Sequence, residues 1–225
     1  MKRSDVNQII TQAEKFLESH SFKLPPWAFY KPEDWKGLNR DSHKEILVNH
    51  LGWDVTDMGS GDFNRRGLVL FTIRNGGLGE NQKPYAEKIM VVKENQETAL
   101  HFHADKVEDI INRGGGVLVL ELFNSDGPHE LKEDSVQVII DGVLKNFEAG
   151  ERVFLQPGES ITLRQGVFHR FYAQEGHGTV LAGEVSAVND DETDNYFYES
   201  LPRYPALEED ETPVRLLCTE YEKYI

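Results

Sequence analysis

The chain has 225 residues, 39% hydrophobic and 28% charged, with one cysteine and a formal net charge of -15. That length fits one domain, a barrel with helical additions, and the acidity argues against nucleic acid or an anionic membrane as partner. No run of about 18 apolar residues is present, the charged start (Met1 to Asp5) has no signal-peptide core, and Cys218 alone forms no internal disulfide, so a cytoplasmic protein is expected.

Val6, Ile9, Ile10, Ala13, Phe16 and Leu17 recur at helical spacing, with Ser4 or Asp5 placed to cap the start. Phe22 to Trp35 contains Pro25, Pro26 and Pro32, which argue for an extended arm rather than a regular helix. Its Trp27, Phe29, Tyr30 and Trp35 are too many large rings to leave in water. They glue the arm to a barrel or to a second subunit, and their apolar surface suggests a homodimer. Ser42 to Glu45 has capping-box form, and Ile46, Leu47 and Leu51 complete a short helix stopped near Gly52.

From Trp53 the pattern changes to short apolar runs separated by turn residues: Leu68 to Ile73, Tyr85 to Val92, Val117 to Phe123 and Val136 to Ile140. Asp141-Gly142 then marks a two-residue hairpin. Arg152 to Leu155, Ser160 to Leu163, Phe168 to Tyr172 and Thr179 to Ser186 close the series. Roughly eight or more strands at this spacing indicate an all-β sandwich or barrel. The expected division is 1–52 as a helical and aromatic N-terminal arm, 53–188 as the β-barrel core and 189–225 as an acidic C-terminal segment, all in one domain. Of the two acidic clusters in that segment, Asn189 to Asn195 follows a barrel strand and is placed to hang over a site. Glu208 to Glu211 reads as a solvated turn. Tyr196, Phe197 and Tyr198 are placed to seal a cavity or pack on the wall.

The chemistry centres on Leu100-His101-Phe102-His103-Ala104-Asp105-Lys106-Val107-Glu108. In a strand, His101 and His103 project to one side, where two imidazoles can grip one divalent ion. A bend brings Glu108 back as an oxygen ligand, and Gly166-Val167-Phe168-His169 supplies a fourth ligand, so His101, His103, Glu108 and His169 form the expected metal site. Taken alone, a His-x-His pair is more often surface or satisfied core histidine. The two-part spacing resembles the cupin superfamily signature: H-x-H, a Glu a few residues on, a glycine about seven later, then G-x-x-H. The chain departs from it at Asn95, where the signature has glycine, and at Ala173, where it has asparagine.

Three imidazoles and one carboxylate, with no thiolate, suit Mn, Fe, Co, Ni or Zn. Open positions on such an ion suit either polarisation of a hydroxy-carbonyl compound or binding of O₂ beside a substrate. Lys88 and Lys106 are placed to reach substrate oxygens. Glu184, flanked by small and apolar residues, is an unusual carboxylate for a barrel strand.

Glu108 to Gly116, Gly183 to Asp191 and the ending Arg215 to Tyr221 resemble the D-lyxose isomerase family of cupin sugar isomerases over nearly the whole chain. The resemblance implies a mainly β, cupin-type barrel or jelly roll with N-terminal helices and an acidic C-terminal extension. It also implies interconversion of D-lyxose with D-xylulose, and of D-mannose with D-fructose, by a divalent metal, typically Mn²⁺, in a homodimer. Carried over by position, the metal ligands are again His101, His103, Glu108 and His169. Lys88 and Glu184 are expected as catalytic residues, with Lys106 and Asp190 binding substrate. Ala104 stands where the family often has Trp, which bears on the preferred sugar. The competing readings are a metal-dependent cupin dioxygenase and a non-catalytic sugar-binding cupin.

Overall fold

The computed structural model describes residues 1–77, 82–190, 193–202 and 206–225. Helix α1 (Arg3–Ser19) begins earlier than its apolar spacing suggests: Lys2 is the capping residue, and the Asp5 carboxylate accepts its N–H at 3.4 Å. The remaining partners of this first turn come from the far end of the chain. Arg3 is 1% exposed and pairs with Glu220 and with Glu209, the latter at 2.7 Å. Ser4 donates from N–H and hydroxyl to Asp210 (2.9 and 2.7 Å), and the Asn7 amide donates to Glu211 at 3.1 Å. The Glu208 to Glu211 run is exposed, as a solvated turn would be, but it also clamps the positive end of α1, where acidic groups are favourably placed.

The proline-rich arm is not extended throughout. It folds into a 3-10 turn (Pro26–Phe29) and a single turn α2 (Pro32–Trp35), each with proline at its start, where the missing N–H costs nothing. Trp35 is buried against Tyr221, with ring centroids 4.4 Å apart, and Trp27 packs on Phe71 at 4.9 Å. Trp27 thus binds the arm to its own barrel and Trp35 binds it to the C-terminal segment, which weakens the apolar-surface argument for a second subunit, while Phe29 stays 45% exposed. Helix α3 (Lys44–Val48) starts from His43 rather than Ser42, whose N–H is taken by Asn39 Oδ1 at 3.1 Å.

The strands are β1 (Gly52–Thr56), β2 (Leu68–Arg74), β3 (Tyr85–Val92), β4 (His101–His103), β5 (Glu108–Gly115) and β6 (Leu118–Asn124). They continue as β7 (Val136–Ile140), β8 (Val143–Phe147), β9 (Arg152–Leu155), β10 (Ser160–Leu163), β11 (Val167–Ala173), β12 (Val180–Ala187) and β13 (Asn195–Phe197). They form an eight-stranded sheet, β1-β2-β3-β12-β5-β10-β7-β8, and a five-stranded sheet, β13-β4-β11-β6-β9. Pairing within both is antiparallel throughout the described residues.

Strand alternation divides the apolar residues between two cores. On β2, β3 and β12, Leu70, Met90, Val92, Val180 and Ala182 face the other sheet. They meet Leu118, Leu120 and Leu122 of β6 and Phe171 of β11 there. The intervening Val69, Phe71, Ile89, Val91 and Leu181 face outward and are covered by Val6, Ile10, Ala13 and Leu17 of α1. This two-sided burial explains why these strands read as continuous apolar runs.

Strands β1, β5 and β13 lie outside the runs expected from the sequence. In β5, Asn112, Arg113 and the glycines obscure the strand pattern. Asn112 is fully buried, however, and its amide donates to the Gly116 and Leu155 carbonyls, both at 2.9 Å. Strand β13 comes from the C-terminal segment and extends the five-stranded sheet beyond the expected barrel limit. Asn95, in the place of the signature glycine, has φ +57°, a left-handed turn that asparagine tolerates.

Candidate active site

Strand alternation aims the site residues inward. His169 shares the inner face of β11 with Val167 and Phe171, and it pairs directly with His101 of β4. Along β4, His101 and His103 point inward while Phe102 turns out to stack on Tyr196, with centroids 5.0 Å apart. The Ala104 to Val107 loop then reverses the chain, so Glu108, at the start of β5, returns to the same cavity.

Ligand nitrogens of His101, His103 and His169 all lie within 4.8 Å of one another. Glu108 Oε1 is 2.9 Å from His169 Nε2, and Oε2 is 3.5 Å from His103 Nε2. The structure therefore gathers all four expected ligands.

The donor set fits a divalent cation. His101 Nδ1 meets the Ala99 carbonyl at 2.8 Å and His169 Nδ1 meets the Val167 carbonyl at 3.0 Å. A carbonyl only accepts, so in both rings Nδ1 carries the proton and Nε2 presents a lone pair. His169 Nε2 then has nothing to donate to Glu108 Oε1, which is buried without a hydrogen-bond donor. Lone pairs converging in a dry place are costly until a cation joins them. Burial and the neighbouring His169 and His103 hold the His101 imidazole well below its ordinary range, in the neutral form a metal requires.

A chain of charges runs from this cluster. Lys106 Nζ lies 3.0 Å from Glu108 Oε2 and 2.9 Å from Glu184 Oε1, and Lys88 Nζ lies 3.2 Å from Glu184 Oε1. Asn189 Oδ1 accepts from Lys88 at 2.5 Å. The two ammoniums and two carboxylates cancel, which makes their burial tolerable. Burial opposes ionisation of Glu184, but Lys106 and Lys88 outweigh it and hold the carboxyl below the usual range. Burial likewise pushes Lys106 down, and Glu108 and Glu184 more than reverse this.

The cavity shared by the imidazoles, Lys88, Lys106, Glu108 and Glu184 encloses about 50 Å³. At about 10–15 Å³ per probe-sized water, it holds an ion and a few waters. Asn195 and Phe197 of β13 form one wall, and the Phe197 ring lies 5.6 Å from that of His101. A larger cavity of about 550 Å³ adjoins it and shares Lys106.

Asp190 lines this second cavity rather than the first, and its carboxylate holds the Thr193 turn at 3.2 and 2.6 Å. Of the acidic cluster expected over the site, Asp194 reaches it instead, with Oδ2 3.5 Å from His103 Nδ1, while Asp191 and Glu192 lie outside the described residues. The sequence pointed to Asp194 and Asn189 only as members of the Asn189 to Asn195 cluster, with no role for either. Ala104 is exposed and does not line the small cavity.

A sequence profile of the D-lyxose isomerase family matches residues 1–221. The chain belongs to the D-lyxose isomerase family. It is 49% identical over 227 residues to a D-lyxose/D-mannose isomerase of Serratia proteamaculans, and 45% identical over 226 residues to one of Escherichia coli O157:H7. Both alignments cover 100% of each chain. Membership makes this chain a sugar isomerase, interconverting an aldose and a ketose. Among solved structures, L-ribose isomerases share the fold. That of Cellulomonas parahominis aligns at a TM-score of 0.59 and 14% identity, covering 92% of this chain and 98% of that one. That of Geodermatophilus obscurus aligns at 0.56 and 15%, with the same coverage. The mainly β, cupin-type architecture expected from the sequence is the one observed.

Proposed function

We propose that the chain, acting as one domain, converts D-lyxose to D-xylulose, with D-mannose to D-fructose as a second pair. It does so with a divalent metal, Mn²⁺ in the first instance, held by His101, His103, Glu108 and His169. The observation that carries this reading is the position of Glu184, a buried carboxylate kept ionised by two lysines on the wall of the three-imidazole cavity. The names of the two relatives support the choice of sugars.

When bound, a divalent ion supplies Lewis acidity toward the sugar's carbonyl and adjacent hydroxyl oxygens. The protein supplies the proton transfers. Glu184 accepts the proton from C2 of the open-chain aldose and returns it to C1. The oxygen at C1 gains a proton and the one at C2 loses one, so an enediol connects the two sugars and the atoms balance. Lys88 and Lys106 hold these oxygens and exchange their protons. Asp190 lies on the outer cavity with Lys106, on the sugar's path of approach. Phe197 walls the site beside His101. Family likeness supports a cytoplasmic homodimer, which light scattering tests as a mass of twice 25.7 kDa.

The test is ketose formation from D-lyxose and D-mannose under anaerobic conditions, using protein stripped with chelator and then reloaded with Mn²⁺. Turnover is expected only after reloading. Turnover only in an aerated parallel, with oxygen uptake coupled to it, would indicate a dioxygenase, and sugar binding without ketose would indicate a binding protein. Either result overturns the proposal.

A further inference from the structure

Two of the three imidazoles in the cavity are oriented in the same way, by the backbone carbonyl two residues earlier: Ala99 for His101 and Val167 for His169. His103 differs. Its Nδ1 is buried without a hydrogen-bond partner, and Asp194 Oδ2 faces it at 3.5 Å. Asp194 is 5% exposed and held firmly in place. Its Oδ1 accepts the Asp105 N–H at 2.7 Å, its carbonyl accepts the Ala104 N–H at 3.4 Å, and its own N–H donates to the Asp190 carbonyl at 3.2 Å. The next residue, Asn195, is the register partner of His103 across the β13–β4 pair.

We propose that Asp194 is the positioning residue of His103, fixing the tautomer and ring orientation that direct His103 Nε2 into the cavity. This rests on the reading of that cavity as a metal site. An ionised carboxylate has no proton to give, so facing Nδ1 it draws the imidazole proton there. Glu108 Oε2 faces Nε2 at the same 3.5 Å, but that oxygen is already taken by Lys106 Nζ at 3.0 Å, so Nε2 keeps its lone pair for a cation. It also makes His103 a better donor than a ring backed by a neutral carbonyl, and such partners change metal affinity by 10–100-fold. One ligand on β4 therefore takes its orientation from the C-terminal segment. A merely structural Asp194 would need only the Asp105 contact, which an amide oxygen also makes.

Asp194→Asn separates the two roles. It can keep an acceptor for the Asp105 N–H, but it then turns an NH₂ toward His103 Nδ1 and favours the Nε2–H tautomer. The readouts are ¹⁵N chemical shifts of the histidine rings in metal-free wild type and variant, and Mn²⁺ affinity by chelator competition. Wild type is expected to carry its His103 proton on Nδ1. The variant is expected to carry it on Nε2, to bind Mn²⁺ 10–100-fold more weakly, and to melt near wild type without metal. An Nε2–H His103 in the wild type overturns the proposal whether or not the variant folds. So does a folded variant with wild-type tautomer and Mn²⁺ affinity. If wild type itself binds no divalent metal, the metal reading falls, while the tautomer still decides the Asp194–His103 relationship.

Discussion

Glu184 stands directly opposite Lys88 across the β3–β12 pair, and their side chains meet at 3.2 Å, Nζ to Oε1, on the wall of the three-imidazole cavity. Register alone brings them together, because both point inward from central strands. Lys106 completes the arrangement from the loop between β4 and β5, 2.9 Å from the same oxygen. The Glu184 carboxylate, its two counter-charges and the three imidazoles thus line one small cavity.

The first consequence concerns the base. Glu184→Gln keeps the shape and removes the proton acceptor. Its kcat is expected to fall by about 10²–10⁴-fold, the usual contribution of general acid–base catalysis, with metal content near wild type. Unchanged kcat in the metal-replete variant would make Glu184 a structural carboxylate. Wild-type turnover in deuterated water is expected to place solvent deuterium in the product.

Lys106→Met removes the cation between Glu108 and Glu184. Breaking a buried pair costs about 3–5 kcal/mol, so the metal-free variant is expected to melt well below wild type. A divalent ion puts positive charge back beside Glu108, so the gap in melting temperature narrows on adding Mn²⁺. A gap independent of metal would separate Lys106 from the cluster.

The pH dependence follows from the signs of the shifts. The folded His101 ring binds its proton less tightly than the unfolded one, with its ordinary value of 6.5. The unfolded chain therefore takes up protons first, and stability falls as pH drops below about 6.5. Glu184 is also depressed, from an ordinary 4.5. Its contribution is present above that value and is lost as pH falls further, through the lowered folded value. Thermal melts of metal-free protein are expected to show both limbs, with His101→Ala flattening the upper one. Constant stability between pH 7 and 4 would contradict this.

The four-residue cluster was legible in the sequence because strand alternation puts His101 and His103 on one face, and because the spacing to Glu108 and His169 survives any detail of the loops. The second layer was not. Asp190 stood out by charge and position, yet a tight turn uses its carboxylate, and Asp194, four residues on, is what reaches His103. β5 hid behind glycines and polar residues, of which the fold buries Asn112, and β13 is only three residues long. The proline arm misled because proline that breaks a helix interior also starts a short turn.

The N-terminal clamp is open to a stability test. Arg3→Ala leaves Glu220, itself buried, without its guanidinium. A loss of about 3–5 kcal/mol is expected, measured by denaturant unfolding, with turnover at 25 °C retained in the folded fraction. A loss under 1 kcal/mol would mean that the acidic C-terminal run is merely solvated.

The most direct test of the central claim is His169→Ala, purified and analysed for metal content and for conversion of D-lyxose to D-xylulose. His169 lies at the junction of the cluster, paired in register with His101 and 2.9 Å from Glu108. The variant is expected to keep the β-sheet signature of the wild type by circular dichroism, to hold no divalent metal and to form no ketose. A folded variant with a full complement of metal and wild-type turnover would contradict the account.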